Sequence, residues 1–338
     1  MGTSIALAFH NAFLRGQRRR NMWLKILRRS IRLILLGIFF EFSMSPNNLW
    51  LEWLSGVLQR FGVSYFVVAS MRCASLVDLS LMQDSRLPWL KDITYFWIEW
   101  VVILLLITIH SLLIFLLPVP GCPKGYLGPG GLENWGQYRE CTGGATGYID
   151  RLVFGPHAYN YPTCKVLYNN DLNFDPEGLL GCLTSIFTVF LGLQAGQIFV
   201  CYKSWHSRLK RLVFWALLTG LIAGILCNFS QNDGWIPVNK NLWSLSFALA
   251  LSSFGFLLLA GLYMLVDVCK LWNGSPLFQA GMNAILLYLG HELLGRGLPF
   301  AFKVPETHGS QLAMDLWGAS LWVVIAIWLD WHRFYLAL

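Results

Sequence analysis

The chain has 338 residues, of which 56% are hydrophobic and only 13% charged. Soluble domains carry about a quarter charged residues, so most of this surface faces something other than water. The net charge of +7 does not point to nucleic acid, because the basic residues gather at the ends of apolar runs, where they set membrane orientation.

The first segment, 1–14 (MGTSIALAFHNAFL), is apolar but too short to cross a bilayer, which takes about 20 residues. It reads as the second half of a helix. No small-residue cleavage site follows it, so no cleavable signal is expected. A basic cluster comes next: Arg15, Arg18, Arg19, Arg20, Lys25, Arg28, Arg29 and Arg32. Spans are then expected near 31–44, 54–76, 94–117, 177–201, 209–228, 242–266, 280–302 and 312–331. The first is short unless it extends back through Arg28 and Arg29, whose long side chains can snorkel. The expected architecture is an all-α polytopic membrane helix bundle, with about eight full spans plus a partial first helix, forming one transmembrane domain over 1–338.

Placing the first basic cluster in the cytosol fixes the rest of the topology. Lys203, Arg208, Lys210 and Arg211 fall on the same side, as do His332 and Arg333 at a cytosolic C-terminus. The segments 118–176, 229–241 and 303–311 fall on the other. The inserted loop 118–176 is rich in Gly and Pro, which break helices, and a loop of that length usually has work to do. It holds Cys122, Cys141 and Cys164 in a compartment where disulfides persist, and Cys122–Cys141 is the local pairing. Cys73, Cys182, Cys201, Cys227 and Cys269 read as small packing residues. No Cys/His spacing suggests a metal site.

Polar groups at membrane depth are costly and often functional. Asn239, Lys240, Asn241 and Ser244 open one span, either lining a cavity or capping the helix beside an interfacial Trp. Asn283 and His291 lie eight residues apart, near two helical turns, so both can face the bundle interior. His291 serves as a base or as a satisfied core histidine. Arg60 must find a carboxylate, a phosphate or a cavity, with Glu41 as one partner. His10 and His110 read as packing residues, and His157 and His308 carry no spacing signal. Asp150 and Arg151 edge the loop. Asp175 reads as a helix cap with Pro176 at the first helical position and Glu177 in the first turn.

Several long motifs carry a resemblance. They are GVLQRFGVSYFVVA at 56–69, LLPVPGCPKGYLGPGGL at 116–132, CTGGATGYIDRL at 141–152, DPEGLLG at 175–181, FLGLQAGQI at 190–198, GWIPVNKNLWSLSF at 234–247 and GMNAILLYLGHEL at 281–293. In this order they resemble the heparan-alpha-glucosaminide N-acetyltransferase family, across essentially the whole chain. The resemblance implies a multi-pass lysosomal membrane acyltransferase that moves acetyl from cytosolic acetyl-CoA to the terminal glucosamine of heparan sulfate. It implies acetyl-CoA as cosubstrate with no metal, contact with membrane lipid, and self-association as a homodimer. Either an acetylated histidine carries the group or a histidine acts as base in a ternary complex.

Aligned on the family, Met1–Ile5 falls in the middle of a span. The family's luminal domain, first span and histidine segment are then expected upstream, and this chain alone is expected to be catalytically weak. No catalytic residue is therefore carried over, and His291 stands only as a candidate. Arg29 and Arg60 are candidate contacts for coenzyme A phosphates, with Asn239, Lys240, Asn241, Ser244 and Asn283 as further pocket residues. The rival readings are a transporter, which would show internal repeats that are not visible here, and a non-catalytic membrane protein.

Overall fold

A computed structural model describes residues 1–44, 56–75, 88–155, 165–170, 172–232, 234–294 and 303–336, without the side chains of 41–44, Pro88 and Asn134. Thus Glu41's side chain, His157, Cys164 and the 295–302 end of the seventh expected span lie outside the described residues. Every regular element described is helical. The residues fall into two compact units, Met1–Gly261 and Leu262–Leu338.

The first unit is organised around α8 (Leu179–Cys201), whose most apolar stretch is 67% buried inside the protein. Its glycines explain how neighbours come so close. A Cβ on Gly196 would lie 2.5 Å from Ala6 Cβ and 2.8 Å from Thr3 O, so α1 (Gly2–Leu14) can pack against α8. Small residues allow such backbone approach between helices that have no water to exclude. Thr3 Oγ1 donates to the Gly192 carbonyl at 3.1 Å.

Two more helices complete the centre. α2 (Arg19–Met44) runs antiparallel to α3 (Val57–Ala74), with Arg29 stacked on Tyr65, Ile34 against Gly62 and Leu58 against Gly37. α3 runs alongside α8 in the same direction, with Arg60 beside Gly181 and Ser64 hydrogen-bonded to Ser185 at 3.0 Å. The core where these helices meet includes Ile26, Val68, Phe190 and Leu193. Truncating a fully buried side chain such as Phe190 to Ala would remove about 3–5 kcal/mol.

α5 (Trp97–Leu116) shows how an outer helix is made. Its buried residues Glu99, Ile103, His110 and Ile114 form one stripe at helical spacing, while Val101, Leu104, Leu105 and Leu112 are exposed. An apolar helix with so much exposed apolar surface is built to face lipid. Trp100 bridges inward, stacking on Trp215 of α9 (Trp205–Leu226) at 5.2 Å and meeting Phe190 edge-on at 4.8 Å. α4 (Lys91–Thr94), α6 (Gly144–Phe154) and α7 (Lys165–Tyr168) are short and lie outside the long helices. Within the inserted segment, Cys122 and Cys141 are disulfide-bonded with Cα atoms 5.7 Å apart.

α10 (Leu245–Leu262) passes into a π-helical turn at Tyr263–Val268. The second unit then holds α11 (Leu277–Met282), α12 (Ala284–Leu294) and α13 (His308–Trp331), with α11 and α12 packed on α13. Thr307 caps α13 by accepting the Ser310 N–H at 3.3 Å.

Five helices among the described residues are long and apolar enough to cross a membrane: Trp97–Leu116, Leu179–Cys201, Trp205–Leu226, Leu245–Val268 and His308–Trp331. Three of the eight expected spans are not among these five. The 31–44 run is the end of a 26-residue helix that starts at Arg19 and carries its basic cluster with it. Within the 54–76 run, α3 (Val57–Ala74) is a buried helix with Arg60 and Arg72 turned into the protein, and it is less uniformly apolar than the five. The 280–302 run breaks at Asn283, where the backbone leaves the helical region between α11 and α12.

Candidate functional site

Buried charge in the first unit collects in two places along α3, at Arg60 and at Arg72. The two are 12 residues apart on one helix, about 18 Å of rise.

The Arg60 cluster lies where the inserted segment meets the start of α8. Arg60 is 4% exposed. Its Nη2 donates to the Pro176 carbonyl at 2.7 Å and approaches the Gly178 carbonyl at 3.5 Å. Its guanidinium also lies 4.9 Å from the Trp243 ring centre, and the Trp243 indole N–H donates to Thr188 Oγ1 at 3.3 Å. Arg60 Nε and Nη1 are buried without a well-aligned hydrogen-bond partner among the described residues, and the Cys182 thiol of α8 lies against the guanidinium.

Asp150 enters from α6 and is 1% exposed. Its Oδ1 accepts the Leu179 N–H at 2.8 Å, placing a carboxylate at the positive N-terminal end of α8. Its Oδ2 is buried without a partner among the described residues. A Cβ on Gly178 would run into this carboxylate, so a larger residue there would have to displace Asp150. Burial pushes the Asp150 carboxyl up to about 7, and the nearby Asp175 adds to the rise; the Leu179 N–H, Arg60 and Arg151 pull it back. Burial likewise raises Glu177. Asp175 Oδ1 accepts the Glu177 N–H at 2.9 Å, but α8 starts only at Leu179, with Gly178 in the capping position. Asp175 therefore shapes the turn ahead of the helix instead of capping it.

The expected residues before α10 are partly committed to local structure. Asn239 Oδ1 accepts the Asn241 N–H at 2.9 Å and the Leu242 N–H at 3.4 Å. Ser244 Oγ donates to the Pro237 carbonyl at 2.8 Å and accepts the Asn239 N–H at 3.1 Å and the Phe247 N–H at 3.3 Å. Those bonds match the capping alternative. Lys240 is exposed and its charge acts on Glu177.

Arg29 does not join Arg60. It lies over the Tyr65 ring at 4.7 Å, five residues further along α3. In the second unit, Asn283 is buried and its amide clamps the chain end. Its Nδ2 donates to the Phe334 carbonyl at 2.9 Å, and its Oδ1 accepts the Leu336 N–H at 3.0 Å. His291 is 66% exposed, 3.9 Å from Glu292, so it does not share an interior face with Asn283.

The Arg72 cluster holds residues that sequence reasoning missed. Asp92, wholly buried, accepts from Gln194 Nε2 at 2.6 Å, Tyr202 Oη at 2.9 Å, Arg211 Nη2 at 2.5 Å and Trp215 Nε1 at 3.2 Å. Glu99 takes Arg72 Nη1 at 2.9 Å and Gln197 Nε2 at 3.1 Å, and bonds Ser75 as well. The signal was available in FLGLQAGQI: two glutamines three residues apart on one face of an apolar helix require polar partners. The basic start of α2 lies here too, with the Arg19 carbonyl at Cys73. His110 is a further buried polar group, 2% exposed, with both ring nitrogens unpartnered among the described residues. It lines a cavity of about 10 Å³ with Ser111, Leu127 and Ser244. Among the described residues no cluster of His, Cys, Asp and Glu could hold a metal ion.

Among the described residues, an all-helical fold with five helices long and apolar enough to span, exposed apolar faces and buried charge between the helices defines a multi-pass membrane protein. No family model matches the chain. Over 96% of its length it is 45% identical to heparan-alpha-glucosaminide N-acetyltransferase from Mus musculus, and equally so to the protein of that name from Homo sapiens. The chain is a homologue of heparan-alpha-glucosaminide N-acetyltransferase, and it spans about half the length of the curated relatives it matches.

Proposed function

We propose that this chain forms the membrane core of an acyltransferase that moves acetyl from cytosolic acetyl-CoA to the terminal glucosamine of heparan sulfate in the lysosome lumen. The observation that carries the reading is the Arg60–Asp150 cluster. It places buried charge with unspent hydrogen-bonding atoms in two segments that carry the family resemblance, GVLQR and GYIDR, against a third, DPEGLLG. Acyl transfer to an amine needs a proton acceptor for the ammonium and donors for the carbonyl oxygen as it becomes negative. The cluster contains both kinds of group.

In this reading the inserted segment 118–176 covers the sugar-facing side. The basic residues of α2 and of the α8–α9 turn mark the cytosolic side, where Arg29 remains a candidate contact for a coenzyme A phosphate. Asn239, Lys240, Asn241 and Ser244 support the wall of the pocket. Asn283 and His291 belong to the other unit, Asn283 as a clamp. The test is acetylation of a glucosamine glycoside by detergent-solubilised protein supplied with acetyl-CoA. N-acetylated product that depends on the protein, formed slowly as expected of a catalytically weak chain, is the expected result. Hydrolysis of acetyl-CoA without sugar acetylation would overturn the assignment.

A further inference from the structure

We propose that a single buried water sits between His110 of α5 and Ser244, the residue just ahead of α10, and fastens the two together. The site is separate from the acetyl-transfer reading and does not depend on it.

His110 is 2% exposed, and neither of its ring nitrogens is hydrogen-bonded among the described residues. A neutral imidazole carries one N–H donor and one bare acceptor nitrogen. Buried groups of either kind are nearly always satisfied, by protein or by ordered water. Elsewhere on α5 that rule holds. Glu99, on the same buried stripe, accepts from Arg72, Ser75 and Gln197. Thr108 turns back onto the Leu104 carbonyl at 2.8 Å. His110 instead borders a cavity of about 10 Å³.

The size and lining of that cavity select its occupant. A volume near 10 Å³ is room for about one water and nothing larger. Cavities that stay dry are apolar, whereas this one sets His110, Ser111 and Ser244 among side chains such as Ile114, Leu127 and Leu242. Three polar groups are also what a buried water ordinarily bonds. A metal ion would need further ligands, and among the described residues no cluster of His, Cys, Asp and Glu supplies them.

Ser244 has a hydrogen to offer. The Pro237 carbonyl receives two hydroxyls, Ser244 Oγ and Ser246 Oγ, each at 2.8 Å. Ser246 alone keeps that carbonyl paired, so the Ser244 hydroxyl can rotate its hydrogen into the cavity. Its oxygen goes on accepting the Asn239 and Phe247 N–H groups. The water then accepts from Ser244 and donates to the bare nitrogen of His110, with Ser111 as its third partner. Through it α5 is tied to the turn that opens α10, the same turn whose Trp243 lies against Arg60.

The wild-type protein provides the first test. In a cryo-electron microscopy map that resolves ordered waters, a peak is expected within hydrogen-bonding distance of a His110 ring nitrogen and of Ser244 Oγ. An empty cavity in such a map would overturn the proposal. Variants read the same bond through the turn. His110→Leu removes both ring nitrogens, and is expected to lower the Tm by a few degrees and to speed amide hydrogen exchange at Asn239 and Phe247 about tenfold or more. His110→Gln keeps a donor and an acceptor and is expected to recover most of that protection. Unchanged exchange at the two amides in His110→Leu would also overturn the proposal, whatever the Tm, since packing alone would then account for His110.

Discussion

Asp92 and Arg211 meet at 2.5 Å although 119 residues separate them in the chain. The carboxylate belongs to the short α4 and the guanidinium to the first turns of α9. Three further donors from α8, its C-terminal cap and α9 complete the shell around Asp92. One buried acid thereby fastens three helices at one end of the bundle.

Removing one partner of such a pair leaves a buried charge uncompensated, at about 3–5 kcal/mol. Arg211→Met is therefore expected to lower the Tm of the detergent-solubilised protein markedly. The double substitution Asp92→Leu with Arg211→Met should recover much of that loss, because no orphaned charge remains. A double variant as unstable as the single one would show that the hydrogen bonds from Gln194 and Tyr202 matter more than the ion pair.

Asp150 makes stability depend on pH in a calculable direction. Its carboxyl titrates near 7 in the folded protein, against 3.8 for an unperturbed one. Between those values the folded state binds more protons than the unfolded state, so stability falls as pH rises from 4 to 7 and levels off above. The effect is on the order of a few kcal/mol. The wild type is expected to melt at a higher temperature at pH 5 than at pH 8, after correction against Asp150→Asn, which lacks the group. Parallel curves for the two proteins would exclude Asp150 as the source.

What the sequence discloses follows the range of the interactions involved. The lipid-facing helices are legible because one apolar residue type repeats along a local run, as in α5. The need of Arg60 for a partner is legible too, from charge at membrane depth. Its partners are not: the Pro176 carbonyl lies 116 residues away, and no local period announces a backbone acceptor. Asp150 reads as a loop-edge residue for the same reason, since its role is set by the start of a helix 29 positions later. The break at Asn283 escapes notice because the run around it is apolar enough to read as one span.

At Gly196 α1 and α8 pack nearly backbone to backbone, with Ala6 and Thr3 inside the space a side chain would need. Neither neighbour is the free end of a flexible chain, so the helices themselves must separate. Overpacking of this kind costs about 1–3 kcal/mol and sometimes more. Gly196→Val is expected to reduce the monodisperse fraction on size-exclusion chromatography, whereas Gly255→Ala should not, since no atom lies within 4 Å of a Cβ there. Equal behaviour of the two variants would mean that α1 is not seated on α8.

Asn283 holds the chain end through both halves of its amide, donating to the Phe334 carbonyl and accepting from the Leu336 N–H. Asn283→Asp keeps the acceptor but replaces the donor with a second oxygen facing that carbonyl. Two acceptors in a buried site repel, and the buried charge adds its own desolvation cost. The expected result is release of the C-terminal segment, read as faster amide hydrogen exchange at Leu336 and earlier carboxypeptidase trimming, with little change in exchange within α8. Protection of Leu336 that survives the substitution would show that α13 packing, not the Asn283 clamp, holds the C-terminal segment.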